Sequence, residues 1–340
     1  MMQSERQSWT IGRRTVGSSQ PCFIIAEIGS NHDGSLEIAK TLIREAAKAG
    51  ADAVKFQSFR AATLAAPRQE RLQKFFKQAE LDPAWYQDLI RVADEEGVVW
   101  LSTPFDDASA DALGDLGMPV FKVSSGDLTD HRLLQRLARW ERPIILSTGM
   151  AWLGEVEAAL GAIRTIGHPP LVLLHCVTAY PSAPEDANIR AMARMGEAFG
   201  VPYGYSDHCL GVAVPLGAVA LGACVIEKHF TSDRSRQGPD HGHSLEASEF
   251  ALMVREIRSL ERALGDGVKA PVKAELPDRV WARRGLYATQ PIAAGATITP
   301  AMVARLRPND GIGAEDWDLV IGRVARQAIE PGAALHWDLL

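Results

Sequence analysis

The amino-acid sequence predicts an α/β protein, a (β/α)8 barrel followed by a small, mainly β domain. Short apolar runs alternate with amphipathic helical stretches from the N-terminal region to about residue 265 of the 340. Polar or glycine-rich groups follow seven of these runs, and the pattern changes after Leu264. Because the carboxyl ends of parallel strands meet at one end of a barrel, these polar groups are expected to share one face.

Eight segments have the length and apolar composition of buried parallel strands. They are 22–28, 52–57, 98–102, 119–123, 143–147, 171–176, 202–205 and 223–229. Helical spacing of apolar residues is found between and after them. The predicted helices include 36–49, 85–96, 133–140, 153–166, 189–199, 212–221 and 248–264. Eight strand–helix units in a chain of this length fit a closed barrel better than an open sheet.

The remainder of the chain has a different character. Gly265-Asp266-Gly267 and the proline-flanked segment 271–277 are typical of a linker. Short β-like runs follow, separated by glycine or proline, at 286–288, 297–298, 303–306 and 324–329. We therefore expect a barrel domain over 1–265, a linker over 266–280 and a β-rich domain over 281–340.

The composition is that of an ordinary globular protein, with 46% hydrophobic and 23% charged residues and a net charge of -6. Such a chain offers no extended basic surface, so neither nucleic acid nor a membrane is an expected partner. Residues 1–14 are polar, and no later stretch has the apolar length of a membrane span, so a cytoplasmic location is expected. The four cysteines lack CxxC spacing and are expected to be buried, reduced thiols.

Two histidines, His208 and His229, each follow a buried strand. Neutral imidazole is a good ligand for divalent transition metals, and two imidazoles leave coordination positions open for water and substrate. A single histidine at a strand end is more often structural. Two at matching strand ends, near Asp240-His241, favour a metal site or a proton-transfer site.

Two lysines, Lys55 and Lys122, also end predicted strands, and hydroxyl side chains follow the neighbouring strands. Ammonium groups and hydroxyl donors together form a phosphate site without a glycine-rich nucleotide loop. Each hydroxyl by itself is better explained as a helix N-cap. The lysines favour the anion site, because two ammonium groups at one barrel mouth repel each other unless an anion joins them. The expected site contains Lys55, Thr103, Lys122, Ser125, Ser147 and Ser206.

Glu27 is a carboxylate at the end of the first predicted strand. Beside a metal and a phosphate it would act as a general acid–base or stabilise developing positive charge. A salt bridge to Lys55 explains it equally well. Asp127 and Asp240 are further candidate carboxylates, in the loops after the fourth and eighth strands.

Eight segments together resemble the N-acetylneuraminate (sialic acid) synthase family, and the resemblance extends from about residue 22 to the C-terminus. They are Ala26 to Gly34 (AEIGSNHDG), Lys55 to Gln57 (KFQ), KVSSGDL from Lys122, ILSTGM from Ile145, HCVTAYP from His175, GYSDH from Gly204, VIEKHF from Val225 and GPDH from Gly238. The resemblance implies a TIM barrel with a C-terminal SAF domain, which is similar to type III antifreeze protein.

The resemblance also implies an activity. The family condenses phosphoenolpyruvate with N-acetylmannosamine or a close relative, and phosphate leaves by C–O cleavage. A divalent metal is implied, with Mn²⁺ expected and Mg²⁺ or Co²⁺ as alternatives. The implied partner is a second copy of the chain, in a homodimer whose C-terminal domain caps the partner's barrel.

Site residues follow from the resemblance position by position. His208 and His229 match the metal ligands, and Glu27, Glu227 and Asp240 match acidic residues around the reacting carbons and the sugar. Two residues, Tyr180 and Arg307, match groups that hold the N-acetyl end of the sugar. The phosphoenolpyruvate pocket is matched by Lys55, Thr103, Lys122, Ser125, Ser147, Thr178 and Ser206.

Two positions depart from the family pattern. Asp127, a candidate catalytic carboxylate, stands where family members often have Glu, and its side chain is one methylene shorter. Thr178 stands where some members have Asn, so one phosphate contact is in doubt.

Three alternatives remain open. A legionaminic or pseudaminic acid synthase would use a 2,4-diacetamido-trideoxyhexose, with His243 and Ser244 facing the positions where the sugars differ. A non-catalytic sugar-binding protein is disfavoured because both histidines and both lysines are present. A lyase acting through a Schiff base on Lys55 or Lys122 would leave the histidine pair unexplained.

Overall fold

The structure, a computed structural model, describes residues 8–340. The chain divides after Gly265 into two compact units. The first unit contains eight parallel strands in a nearly closed barrel surrounded by helices, and the second contains a small antiparallel sheet. The predicted fold class is therefore confirmed.

The strands of the barrel follow one another in chain order, and each lies within two residues of its predicted bounds. The strands are β3 (Phe23–Gly29), β4 (Ala53–Ser58), β5 (Val99–Pro104), β6 (Phe121–Val123), β7 (Ile144–Ser147), β8 (Leu171–Cys176), β9 (Tyr203–Asp207) and β10 (Val225–Thr231). Their hydrogen-bonded path begins at β5, continues through β4, β3, β10, β9, β8 and β7, and ends at β6. A short strand, β11 (Leu245–Glu246), pairs in parallel with the end of β10.

Helices connect these strands, and most of them bury an apolar face. The helices of the first unit are α1 (Leu36–Lys48), α2 (Ala61–Leu64), α3 (Glu70–Ala79), α4 (Tyr86–Glu96), α5 (Asp107–Asp115), α6 (His131–Ala138), α7 (Leu153–Arg164), α8 (Ile189–Phe199), α9 (Ala213–Ala220) and α10 (Ala247–Leu264). In α6, for example, Asp130 caps the N-terminus by accepting from two backbone amides, and Leu133, Leu134 and Leu137 are buried. The sequence pattern did not indicate α5, because its buried residues are mostly small.

Alternation along the strands separates two hydrophobic layers. Outward side chains pack against the helices, whereas Phe23, Ile25 and Val172 belong to an inner cluster within the barrel. A hairpin that the sequence analysis did not predict, β1 (Ser8–Ile11) with β2 (Arg14–Gly17), adds Ile11 and Val16 to this inner cluster. The inward-facing apolar residues of this cluster lie toward the amino ends of the strands. Inward-facing residues toward the carboxyl ends are polar.

The second unit has its own core. Strands β12 (Gly285–Ala288) and β13 (Val303–Leu306) pair antiparallel, and isolated bridges such as Ile292 with Ile329 add to them. Leu286, Ile298 and Leu335 are buried in its cluster. Two short helices belong to this unit, α11 (Leu276–Ala282), which overlaps the expected linker, and α12 (Trp317–Val320).

Within residues 8–340, no helix combines the length and the apolar character needed to cross a bilayer.

Candidate active site at the carboxyl ends of the barrel strands

The inward alternation that places apolar residues in the barrel continues into a layer of polar residues. On β3, Phe23 and Ile25 are followed two residues later by Glu27, and on β10 Val225 is followed by Glu227 and His229. Register places Glu27 between Lys55 and His229 on the neighbouring strands. One cavity brings together eleven of the predicted site residues: Glu27, Lys55, Thr103, Lys122, Ser125, Ser147, Tyr180, Ser206, His208, Glu227 and His229.

Two lysines and two glutamates form a buried charge network in this cavity. Lys55 Nζ lies 2.6 Å from Glu27 Oε2 and 3.8 Å from Glu227 Oε2. Lys122 Nζ lies 3.5 Å from Glu227 Oε1 and donates to Ser147 Oγ at 2.8 Å. The two lysines do not require a bound anion, contrary to what the sequence had suggested, because carboxylates of the protein already join them. Glu27 forms the salt bridge to Lys55 that the sequence offered as its alternative role.

At each of these groups, burial and the neighbouring charges of opposite sign shift the pKa in opposite directions. Burial raises the pKa of Glu27 to about 7, even though Lys55 opposes the shift. For Glu227 burial acts in the same direction, but the Lys122 and Lys55 ammonium groups outweigh it and lower its pKa. Burial lowers the pKa of Lys122, whereas the carboxylates of Glu227 and Glu27 outweigh burial and raise that of Lys55. With Glu27 protonated, the two lysines face a single negative charge, which leaves room for an anion.

Backbone and hydroxyl donors complete one side of the cavity. The Gly149 amide donates to Ser125 Oγ at 2.9 Å. A Cβ at Gly149 would come within 2.4 Å of Thr178 Oγ1 and 2.8 Å of Ser125 Oγ, so only glycine fits between these hydroxyls. Thr178, which the sequence assigned to the phosphate pocket, therefore lies beside Ser125 at this edge. Lys55 Nζ also donates to Thr103 Oγ1 at 3.1 Å.

Three imidazoles meet at the other side of the cavity. The ring centroids of His208 and His229 are 5.4 Å apart, and His243 lies 4.5 Å from His229. Burial lowers the pKa values of His208 and His229, and that of His243 to about 4, so the rings are neutral. Tyr180 covers them, with its ring centroid 4.2 Å from that of His208.

The donor set fits a divalent metal. His229 Nδ1 and His243 Nε2 are buried without a hydrogen-bond partner. Potential ligand atoms of His229, Asp240 and His243 all lie within 4.8 Å of one another. The sequence paired His208 with His229. His208 Nδ1 donates a hydrogen bond to the Val177 carbonyl at 2.8 Å, which leaves the unprotonated Nε2 free to bind a metal. Neutral imidazoles with a nearby carboxylate are typical ligands for transition metals.

Other predicted residues lie at the edge of the cavity or away from it. Asp127 accepts from Ser124 Oγ at 2.5 Å, and burial raises its pKa to about 6. Asp240 accepts from both the amide and the hydroxyl of Ser30. Ser244 is fully buried, and its hydroxyl is already bonded to Asn31 and to the Asp240 carbonyl. Arg307 lies in the second unit as an exposed side chain.

Sequence reasoning did not assign Gln57, Gly149 or the metal-binding potential of His243. Gln57 donates to Glu27 Oε1 at 2.8 Å. It lies two residues after Lys55 on the same strand, so alternation alone indicated an inward position. His243 gave no comparable signal, because a loop residue has no fixed period.

A separate cavity of about 320 Å³ lies at the amino ends of the strands, beside β1 and β2. Two of its charged groups, Arg14 and Asp52, are paired with each other at 3.1 Å. Catalytic groups of (β/α)8 enzymes gather at the carboxyl ends of the strands. The candidate active site is therefore the cavity that contains Glu27 and the lysines.

The family model of the NeuB family matches residues 42–269, and that of the SAF domain matches residues 283–340. The chain belongs to the NeuB family of sialic acid synthase-type enzymes and carries a C-terminal SAF domain, as its sequence motifs indicated.

Similar proteins are synthases of three different acids, namely diacetyllegionaminic, pseudaminic and N-acetylneuraminic acid. An N,N'-diacetyllegionaminic acid synthase of Legionella pneumophila is 39% identical over 96% of this chain and 97% of its own length. Another from Campylobacter jejuni is 42% identical over 89% and 95%, and a pseudaminic acid synthase of that species is 35% identical over 92% and 95%. The crystal structure of N-acetylneuraminic acid (sialic acid) synthetase from Leptospira borgpetersenii in complex with citrate matches with a TM-score of 0.76. It is 36% identical and covers 80% of this chain and 95% of that one.

Proposed function

We propose that this chain condenses phosphoenolpyruvate with an N-acetylated amino-hexose to give a nonulosonic acid and inorganic phosphate. One observation carries the proposal. The buried pair Lys55 and Lys122 shares a single cavity with Glu27, Glu227 and a cluster of neutral imidazoles, at the carboxyl ends of the barrel strands. Cationic groups for an anionic substrate thus lie beside groups suited to a metal and to proton transfer.

The lysines bind phosphoenolpyruvate in this proposal. Lys55 and Lys122 donate charge-assisted hydrogen bonds to its phosphate and carboxylate, and the Ser147 hydroxyl, which accepts from Lys122, keeps its own proton to donate. Protonation of Glu27 leaves the pair with excess positive charge. The citrate in the Leptospira synthetase crystal is likewise a small polyanion.

The reaction forms one C–C bond and breaks one C–O bond. The methylene carbon of phosphoenolpyruvate attacks the aldehyde carbon of the open-chain sugar, and the aldehyde oxygen gains a proton to become a hydroxyl. Water adds to the resulting oxocarbenium carbon and gives up a proton. The tetrahedral adduct then expels phosphate with its bridging oxygen, which leaves the ketone. Ionised Glu27 stabilises the cation or accepts the proton of the water.

A divalent ion held by His208 and His229 would supply electrophilic assistance at the aldehyde oxygen, with Mn²⁺ expected and Mg²⁺ or Co²⁺ as alternatives. The orphaned imidazole nitrogens of the site support this assignment. Tyr180 lies over the imidazoles and holds the N-acetyl end of the sugar in this proposal.

Two sugars are candidates for the acceptor. The sequence motifs favour N-acetylmannosamine, which gives N-acetylneuraminate. Identities of 39% and 42% to two legionaminic acid synthases favour a 2,4-diacetamido-trideoxyhexose. The buried, bonded hydroxyl of Ser244 removes one of the contacts expected to distinguish the two sugars.

A homodimer is the proposed assembly, with the SAF domain of one subunit capping the barrel of the other. Supporting this, Met150, Trp152 and Leu153 expose 68%, 82% and 57% of their surfaces in the loop that follows β7 and begins α7. Large apolar groups of this kind on one surface are typical of a covered interface.

Phosphate release tests the proposed reaction. Metal-free protein is mixed with phosphoenolpyruvate and each candidate sugar, with and without Mn²⁺, and products are identified by mass spectrometry. We expect release only with an N-acetylated amino-hexose and metal. Phosphoenolpyruvate labelled at its bridging oxygen should transfer the label to phosphate. Full activity without metal, or label retained in the sugar product, would contradict the proposal. His208→Ala should abolish turnover, whereas His168→Ala, at an exposed loop position, should not.

A further inference from the structure

A third histidine lies against the two that the sequence assigned to the metal. His243 belongs to the short turn His241–His243 after β10, and its side chain is 3% exposed. Its ring centroid is 4.5 Å from that of His229 and 6.2 Å from that of His208. Its Nε2 is buried and has no hydrogen-bond partner, like Nδ1 of His229. A buried imidazole nitrogen without a partner is costly unless a ligand uses it.

His241, from the same turn, provides an internal comparison. Its Nδ1 pairs with Thr231 Oγ1 at 2.7 Å and its Nε2 with Asp33 Oδ1 at 3.1 Å. Both nitrogens of His241 are therefore used within the protein. The turn thus contains one structural histidine and one that is left with a free donor atom.

The protein holds this turn in place independently of any ligand. Ser244 Oγ donates to the Asp240 carbonyl and accepts from Asn31 Nδ2, while the Asp240 carboxylate accepts from Ser30. A Cβ at Gly29, where φ is +53°, would come within 2.6 Å of that carboxylate. His243 is thus positioned by a network that does not involve its own ring.

We propose that His243 is a third imidazole ligand of the same metal, beside His208 and His229. This inference rests on the proposed function, which places a metal at the latter two residues. Nitrogen ligands at about 2.1 Å from an ion lie no more than roughly 4.2 Å apart. The ligand atoms of His229 and His243 lie within 4.8 Å of each other and of a carboxylate oxygen of Asp240, so these two imidazoles need only a small adjustment. The ring centroid of His208 lies 5.4 Å from that of His229 and 6.2 Å from that of His243.

The third imidazole changes metal selectivity. Nitrogen ligands favour the later first-row ions, so three imidazoles favour Co²⁺ over Mn²⁺ more strongly than two do. They also leave fewer coordination positions for water and substrate. This chain is therefore expected to bind Co²⁺ more tightly than a two-histidine site does.

Metal titration of the full-length, metal-free protein tests the inference. Calorimetry with Co²⁺ and with Mn²⁺ is performed on the wild type and on His243→Gln, His208→Gln and His241→Gln. We expect His243→Gln to weaken Co²⁺ binding at least about tenfold and to reduce the preference for Co²⁺ over Mn²⁺. His241→Gln disturbs the same turn without removing a proposed ligand and should change affinity much less.

The outcomes separate the two proposals. If His208→Gln weakens binding and His243→Gln does not, the third ligand is overturned and the metal site stands. If neither variant affects binding, the metal site of the proposed function fails as well. Should His243→Gln not fold, or should His241→Gln weaken binding equally, pulsed EPR of the Cu²⁺-loaded wild type decides. Three coordinated imidazoles support the inference, and two overturn it.

Discussion

At the scale of single residues, burial and ion pairing shift the pKa values of the carboxylates in the candidate site in opposite directions. Glu27 lies 2.6 Å from an ammonium group, yet its burial, with Glu227 nearby, keeps its pKa near the physiological range. Glu227 contacts two lysines and remains ionised. One carboxylate is thus available for proton transfer while the other holds charge, a division of roles that environment alone produces.

The first prediction concerns pH. Because the pKa of Glu27 is raised from 4.5 to about 7 in the folded protein, its contribution to stability is fully present below 4.5 and is lost as pH rises through about 7. Activity changes with pH in the opposite direction, because the ionised form of Glu27 is the base. We expect kcat, measured at saturating substrate, to rise with pH through about 7, and we expect Glu27→Gln to remove that rise.

Asp127→Asn is the control for this prediction. The pKa of Asp127, about 6, is lower than that of Glu27, so Asp127→Asn should keep the rise in activity near pH 7. Titration of the substrate phosphate affects all variants alike and cancels in the comparison. Identical pH profiles for the wild type and Glu27→Gln would contradict the role of Glu27.

The second prediction concerns phosphoenolpyruvate binding, measured by calorimetry on metal-free protein. Lys122→Met keeps the size of the side chain and removes its charge. We expect binding to weaken by about 1.5–3 kcal/mol, the range of a charged hydrogen bond. Lys77→Met, at a side chain 71% exposed on α3, is the matched control and should bind like the wild type. An unchanged affinity in Lys122→Met would contradict the hypothesis that Lys122 binds phosphoenolpyruvate.

At the scale of elements, a second buried ion pair supports the turn that carries His208. Lys228 Nζ lies 2.5 Å from Asp207 Oδ2, and both side chains are fully buried on the outward side of β9 and β10. Lys228 also donates to the Cys209 carbonyl, and Asp207 accepts from the Cys209 amide at 2.9 Å. The pair therefore fixes the backbone on both sides of His208.

The third prediction follows from that burial. Lys228→Met leaves Asp207 charged and without its partner, so we expect a loss of about 3–5 kcal/mol in the free energy of unfolding. Combining it with Asp207→Leu removes the uncompensated charge, and the double variant should be more stable than the single one. Denaturant unfolding followed by circular dichroism measures both. A double variant less stable than Lys228→Met would show that the pair is not the source of the loss.

At the scale of the whole molecule, the chain consists of two units with separate cores. The candidate site lies in the first, whereas Arg307, assigned to the sugar, lies in the second. The proposed domain-exchanged dimer gives that arginine a role, because a closed two-fold assembly can bring the SAF domain of each subunit to the other's barrel.

The fourth prediction tests this assembly by complementation. Glu27→Ala and Arg307→Ala are each expected to be inactive, and they are mixed under conditions that allow subunits to exchange. About half of the dimers should be mixed, and each holds one site with an intact barrel and an intact arginine. About a quarter of all sites should therefore recover activity. The absence of recovery, with exchange demonstrated by mass spectrometry, would mean that Arg307 does not act on a partner's barrel.

Much of this protein is determined by local pattern. The apolar runs before Lys55 and His229 predicted buried strands that end at these residues, and the succession of strands and helices specified a barrel, because each strand must bury both faces. The positions of these strands and of the polar ends that follow them were therefore predictable from the sequence.

Tertiary structure alone decided which of those groups are bonded to one another. Local pattern did not distinguish His241, whose two nitrogens are used by Thr231 and Asp33, from His243, whose Nε2 has no partner and whose ring centroid lies 4.5 Å from that of His229. Nor did it reveal that β1 and β2 contribute to the inner core. Loops and terminal hairpins have no period, and their partners lie far away in the chain. Their side chains therefore acquire a role only when folding brings those partners together.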